Sequence, residues 1–226
     1  ELRQFKQAEK LFADLATDPK AGAKVFLEQG RMLQRQKKYA EAVKVLTGAL
    51  KKYPADPLLP ELLYDFANNH LGLKNFAAAG QAFDDLHRAK PDFSEMADLL
   101  HRNAVCKHNT KNYEASLALC GEFLKAHANH PYRGDVSFLA AENQFHLGHH
   151  ARAITAYGDF LDTHKAHKKT NAARMRVGEM EFKLKNWVKA LASLEPLRLA
   201  KVVGREFDQL EFLVAEIYFR QENFAK

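Results

Sequence analysis

Apolar residues recur along this chain at helical spacing, in paired short stretches. Phe26, Gly30 and Leu33 fall at i, i+4 and i+7, one face of a helix; Gln36, Lys37 and Lys38 interrupt the pattern, and Ala42, Leu46 and Ala49 resume it. Pro54, Asp56 and Pro57 close the second stretch, since proline cannot continue a helix. The next pair reads Leu63, Ala67 and His70, then Phe76, Ala79, Phe83 and Leu86, and ends at Pro91, with Ser94 placed to cap the helix that follows. Each pair predicts a helix–turn–helix hairpin.

The hairpins repeat. Small residues stand at Gly30, Ala67, Ala104, Ala141, Gly178 and Ala215, every interval being 37. Two further columns keep that period: Ala42, Ala79, Ser116, Ala153 and Ala190, and Tyr39, Phe76, Tyr113, His150, Trp187 and Phe224. A period of this size is the signature of a stacked repeat array. The small columns mark close helix crossings, and large residues fill the spaces beside them: Phe12, Leu46, Phe83, Cys120, Tyr157 and Leu194.

The expected fold is all-α: a right-handed α-α superhelix, a solenoid of antiparallel helical hairpins with about twelve helices. Residues 1–226 form one array, with full units at about 21–54, 58–91, 95–128, 132–165 and 169–205. Phe5, Ala8, Phe12, Leu15 and Pro19 read as a second helix with no first (half-unit 3–18). Leu210, Val214, Ala215 and Tyr218 read as a first helix with no second (half-unit 206–221). These half-units lead us to expect a fragment of a longer array, open to self-association through its end helices. Pro196 falls inside a second helix and is expected to kink or shorten it.

Composition agrees with this picture. Hydrophobic residues make up 46% of 226, enough for a core, while 11 Gly and 7 Pro are too few for a turn-rich all-β chain. No run approaches 18 apolar residues, so no membrane span is expected. The net charge of +6 is spread among interspersed signs, which does not indicate a nucleic-acid footprint. Phosphate-binding, dinucleotide, HExxH and GxSxG motifs are absent, and of the four serines Ser116 occupies a packing column. No catalytic residue, cofactor or metal site is assigned, and the chain is read as no enzyme. Histidine is enriched: His146, His149 and His150 cluster at one turn, and the pairs His127/His164 and His130/His167 are each 37 apart. Solvated loop histidines are one reading of them, and a divalent cation held between neighbouring units is the other. Cys106 and Cys120 fall on the two helices of one unit. Cys120 reads as a buried small hydrophobe, and a bridge between the two is left open by their spacing.

The order Phe26, Gly30, Leu33, Tyr39, Ala42, Leu46, Ala49, Pro54 resembles the tetratricopeptide repeat, and the resemblance extends from about Phe5 to Phe224. The family period is 34, so each loop here is longer by about three residues. With loops such as Tyr53-Pro54-Ala55-Asp56-Pro57, the chain is similar to cell-envelope members of the family in bacteria, of the Tol–Pal coordinator and outer-membrane assembly lipoprotein type. That likeness tilts localisation toward the periplasm.

The resemblance implies that the first helices line a concave face that contacts ligands. One column of that face reads Leu27, Tyr64, His101, Phe138, Met175, Phe212, and a second reads Gln34, Leu71, His108, Phe145, Phe182, Phe219. Between them stand Arg31, Asn68, Val105, Glu142, Glu179 and Glu216, the last three each followed four residues on by His146, Lys183 or Arg220. Lys24, Arg31 and Arg35 form a basic lip. Candidate contacts are therefore Tyr64, His101, Phe138, Phe145, Met175, Phe182, Phe212 and Phe219, with Arg31 and Arg35. Two readings of the rings stand side by side: anchors for a bound peptide or partner helix, or core packed between adjacent first helices. The expected function is a non-enzymatic scaffold for protein or peptide partners and not for nucleic acid. The alternative is a docking module of a larger enzyme or envelope machine whose chemistry lies outside this chain.

Overall fold

The computed structural model describes residues 7, 10–12, 14, 15, 18 and 21–221. Phe5, Ala8, Pro19, Phe224 and most of the expected helix over 3–18 lie outside them. The described residues hold eleven α-helices and one 3-10 turn, with no strand. First helices of the hairpins are α1 (Ala23–Arg35), α3 (Leu59–Gly72), α5 (Met96–Asn109), α7 (Arg133–His146), α9 (Thr170–Lys183) and α11 (Leu210–Arg220). Second helices are α2 (Tyr39–Lys52), α4 (Phe76–Ala89), α6 (Tyr113–Ala126), α8 (His150–Thr163) and α10 (Trp187–Leu199). The chain forms two compact units, residues 1–119 and 120–226.

Every second helix opens on the aromatic column, at Tyr39, Phe76, Tyr113, His150 and Trp187. The turn before each opening has one geometry. Lys37, Lys74, Lys111, Gly148 and Lys185 all carry φ between 57° and 75°, in the left-handed region. There the chain reverses through paired bonds such as Lys74 N–H to Leu71 C=O (2.9 Å) and Asn75 N–H to His70 C=O (2.9 Å), which satisfy carbonyls left over at the end of the first helix. Glycine takes this conformation at no steric cost, whereas lysine bears it in four of the five turns. The lysine charge lies at the helix C-terminus, where the macrodipole favours a cation. Asn75 and Asn112 then cap α4 and α6 by accepting backbone N–H bonds from Ala78 and Ala115 at 3.3 Å.

The second helices pack large side chains onto small residues of the first. Leu46, Phe83, Tyr157 and Leu194 are fully buried, as are Ala67, Ala104 and Ala141. A Cβ added at Gly30 would lie 2.9 Å from Leu46 Cγ, and one at Gly178 would lie 2.4 Å from Leu194 Cδ2. Ser116, in the second small column, donates its hydroxyl to the Ala104 carbonyl at 2.7 Å, a packing role. The aromatic column also packs against the first helix of the next hairpin in two places. A Cβ at Gly72 would meet the Tyr39 ring at 2.7 Å, and at the equivalent place in the second unit the Arg220 guanidinium lies 5.7 Å from the Trp187 ring centroid.

Three local departures matter. Ser94 does not cap α5, which begins after Glu95, because a turn from Phe93 to Met96 (N–H to C=O 3.0 Å) carries the chain past Ser94. Helix α10 runs through Pro196 and ends at Leu199, one residue shorter than α8, its loss being the N–H that proline lacks. Helix α11 keeps the 37-residue period at its end, Arg220 lying 37 after Lys183, but begins three residues later in the repeat than α9, and those residues belong instead to the loop containing the 3-10 turn Arg205–Phe207.

Because the close approach at Gly178 leaves no space for a methyl group, Gly178→Ala should destabilise the protein by about 1–3 kcal/mol. Gly158, within α8, has nothing within 4 Å of an added Cβ. Gly158→Ala should stabilise by about 0.5–1 kcal/mol through helix propensity alone. Urea unfolding of the two variants checks the opposite signs.

Candidate functional site

Within the second unit the first helices and the lengthened loop enclose a cavity of about 470 Å³. Its floor is Phe138 of α7 with Ala172 and Met175 of α9. One wall is Glu142, Arg176 and Glu179. The other is Arg205, Asp208 and Gln209, contributed by the long loop before α11.

The first wall is an ion-pair network between consecutive first helices. Arg176 Nε reaches Glu142 Oε1 at 3.3 Å and Nη1 reaches Glu179 Oε2 at 3.2 Å, while the guanidinium covers the Phe145 ring at 4.9 Å. Burial works against the Arg176 charge, but the two carboxylates overcome it and hold its pKa above the ordinary arginine value. The buried Tyr157 hydroxyl donates to Glu142 Oε1; burial first, and the carboxylate second, push the phenol far above its usual range. The first unit has the same construction with the signs exchanged. Arg31 Nε pairs with Asp65 Oδ2 at 2.7 Å, and Arg31 Nη1 with Glu28 at 3.0 Å. Arg31–Asp65 and Glu142–Arg176 join the same two columns, each across 34 residues. Burial pushes the Asp65 carboxyl upward and Arg31 pulls it part of the way back.

The candidate contacts separate by burial. Phe138 and Met175 are 7% and 3% exposed; Phe138 meets Tyr157 and Phe160 edge-on at 5.7 and 5.6 Å and carries the Lys169 ammonium over its ring at 4.5 Å. Tyr64, His101, Phe145, Phe182 and Arg31 are half-buried. Burial first, and the bond its hydroxyl donates to Asp98 second, raise the Tyr64 phenol pKa. Phe182 packs edge-on against Trp187 at 5.4 Å. Phe212 and Phe219 are 66% and 63% exposed, and Arg35 is exposed. Arg31 serves the interhelical pair as well as the lip. Of the intrahelical pairs expected for the glutamates, Glu216–Arg220 forms at 2.7 Å and Glu142–His146 at 3.9 Å, while Glu179 pairs with Arg176. Sequence reasoning missed the pairing between helices, whose signal is complementary charge at a spacing of 34.

The loop histidines close turns. Asp56 Oδ1 accepts the Leu58 N–H at 2.9 Å, and at the equivalent places His130 and His167 Nδ1 accept the N–H of Tyr132 and Lys169 at 3.2 Å. Neither cysteine forms a disulfide; Cys106 and Cys120 are buried thiols, and burial pushes Cys106 up to about 12.

Stacked hairpins with one side-chain grammar per position define a helical repeat protein. Tetratricopeptide-repeat models match residues 33–102 and, separately, residues 1–57 and 138–196, together well over half of the sequence. The chain belongs to the tetratricopeptide repeat family. Solved structures agree on the fold. A tetratricopeptide repeat protein from Parabacteroides merdae aligns at 14% identity with a TM-score of 0.63, over 97% of this chain and 79% of its own. YrrB, a tetratricopeptide protein with an unusual peptide-binding site, aligns at 16% identity with a TM-score of 0.65, over 81% of this chain and 89% of its own. Pseudomonas aeruginosa pilF aligns at 13% identity with a TM-score of 0.63, over 90% and 87%. No curated protein sequence matches the chain.

Two predictions arise from this geometry. Arg31→Glu should cost more stability than Arg31→Met, since it turns a carboxylate toward the buried Asp65. Adding Asp65→Arg should then return most of the loss, with a coupling energy of at least about 1 kcal/mol in a double-mutant cycle. The second concerns pH. His70 Nδ1 and His164 Nε2 are buried with no hydrogen-bond partner among the described residues, and desolvation lowers both pKa values. A neighbouring His167 and Arg133 lower His164 further. The unfolded chain then binds these protons more tightly than the folded one. Stability complete above the ordinary imidazole pKa of about 6.5 is lost as pH falls through it. Melting temperatures should drop from pH 7.5 to 5, with a shallower slope in His70→Gln and His164→Gln; parallel slopes would count against this.

Proposed function

We propose that the protein is a non-enzymatic scaffold that receives a peptide or partner helix along the first-helix face of its second unit. The cavity carries this reading. It places an apolar floor between two charged walls, and its volume falls within the range of about 300–1,000 Å³ typical of ligand sites. On α11, Phe212 shares the column of Phe138 and Met175 and Phe219 that of Phe145 and Phe182, but both remain exposed, as anchoring aromatics for a partner do. Phe138 and Met175 act from beneath, as floor. The peptide-binding site named for YrrB supports the class of ligand, on a shared fold.

Peptides selected from a random display library on the immobilised protein test this. Their binding should fall at least tenfold in the Phe212→Glu, Phe219→Glu double variant, whose melting temperature should stay near that of the parent because both rings are exposed. Selected peptides that ignore this change, and respond instead to Arg152→Glu and Thr155→Glu in the 390 Å³ groove on α8, would overturn it.

A further inference from the structure

We infer that the second-unit cavity takes a basic side chain, arginine or lysine, of the bound segment. This rests on the peptide-scaffold reading and specifies its chemistry. Three carboxylates line the cavity, Glu142, Glu179 and Asp208, against two guanidiniums, Arg176 and Arg205. These charges are not equally available. Arg176 is committed on three sides, to Glu142, to Glu179 and to the face of Phe145. Glu142 Oε1 is committed to Arg176 and Tyr157. Glu179 uses only Oε2, and among the described residues Asp208 and Arg205 form no ion pair. What faces an incoming group is therefore Glu179 Oε1 and Asp208, with Arg205 as the one uncommitted cation of the lining. An anionic ligand would meet Arg205 but also all three carboxylates at short range, in a half-enclosed space where charges are poorly screened. A cation meets the complementary set.

The floor suits the stem of such a side chain. Phe138, Ala172 and Met175 offer apolar surface for three or four methylenes, with the charged head left at the wall, the way long basic side chains divide themselves between apolar and polar surroundings. The Phe138 ring already accepts a cation from within the chain. The Lys169 ammonium lies 4.5 Å from its centroid, half-buried and with no carboxylate partner among the described residues. Lys169 thus competes with the ligand for the same aromatic face. The second wall comes from the loop before α11, which is longer than the loop before α9 because α11 begins later in its repeat.

The test is a titration of methyl-labelled methionine protein followed at the Met175 methyl. The probes are three peptides, acetyl-Ala-Phe-X-Ala-amide, with X as arginine, citrulline or glutamate. The arginine peptide should bind at least tenfold more tightly than the citrulline peptide, which has the same shape without the charge, and the glutamate peptide should bind weakest. Glu179→Gln with Asp208→Asn, at partly exposed and exposed positions, should abolish the preference. Lys169→Met should tighten arginine binding by removing the competitor. Equal binding of arginine and citrulline, or an arginine preference that survives the double variant, overturns the charge assignment and leaves the scaffold reading in place. Met175 shifts absent with all three peptides, alongside selected peptides that ignore Phe212 and Phe219, overturn both.

Discussion

The structure depends on how closely two helices of a hairpin can approach. At Gly178 the backbone of α9 comes so near Leu194 that a methyl group has no place, and Gly30 stands in the same relation to Leu46. Dispersion contacts fall off steeply with distance, so this contact is where each hairpin gains most from being well packed. Its two members vary in compensation along the chain. Glycine faces leucine in these two hairpins, while alanine stands sixteen residues before Phe83 and Tyr157 at the equivalent places, and all of these side chains are buried. What recurs is a small residue on one helix and a volume-filling one on the other. A hairpin built this way still exposes its outer apolar edge, which the next first helix covers, as α3 covers Tyr39 through Gly72.

Charge follows a similar rule at the first-helix face. Arg31–Asp65 and Glu142–Arg176 join equivalent positions with opposite polarity. Where both positions carry charge, either helix supplies either sign, while Val105 and Leu139 occupy the same two columns with apolar side chains. A charged pair in this position serves to fix the register of neighbouring first helices, and its interaction energy is largely offset by the cost of burying it. The consequence for recognition is that most charge on this face is internal. Arg31 was expected to present a basic lip, yet it spends its charge on Asp65 and Glu28, and Arg176 is likewise enclosed.

This explains which parts of the molecule were legible in the sequence. The period of 37 and the small and aromatic columns are strictly local in their cause, so they appear directly as residue types at fixed spacing. The helical class, the opening of each second helix on its aromatic residue, and the packing roles of Ser116 and Cys120 follow from them. The turns were legible only as polar breaks, because lysine at a left-handed position carries no compositional mark where glycine would have. The likeness to envelope proteins rested on the loop Tyr53–Pro57. There Asp56 accepts the Leu58 N–H and Tyr53 donates to the Ala21 carbonyl, so turn chemistry accounts for the residues that suggested it. Exposure on the first-helix face was least legible. Phe138 and Phe212 share a column, yet one is 7% and the other 66% exposed. Exposure here depends on what the following unit places over the ring, which no single column records.

The feature that most distinguishes the second unit is a departure from the repeat. A strict array gives every first helix the same neighbours, and a strictly periodic surface offers a ligand many equivalent, shallow places to lie. The late start of α11, which leaves the first residues of its repeat in the loop, breaks that equivalence. Gly204, at φ 143°, lets the chain turn where other residues would be strained, and the loop then folds into the 3-10 turn that carries Arg205 to the cavity wall. Asp208 and Gln209 follow, facing a wall whose own charges are already paired. Periodic packing thus supplies rigidity and the apolar floor, and the interruption supplies uncommitted polar groups on one side of it. The interruption thus places polar groups beside the floor that no counterpart one unit away consumes.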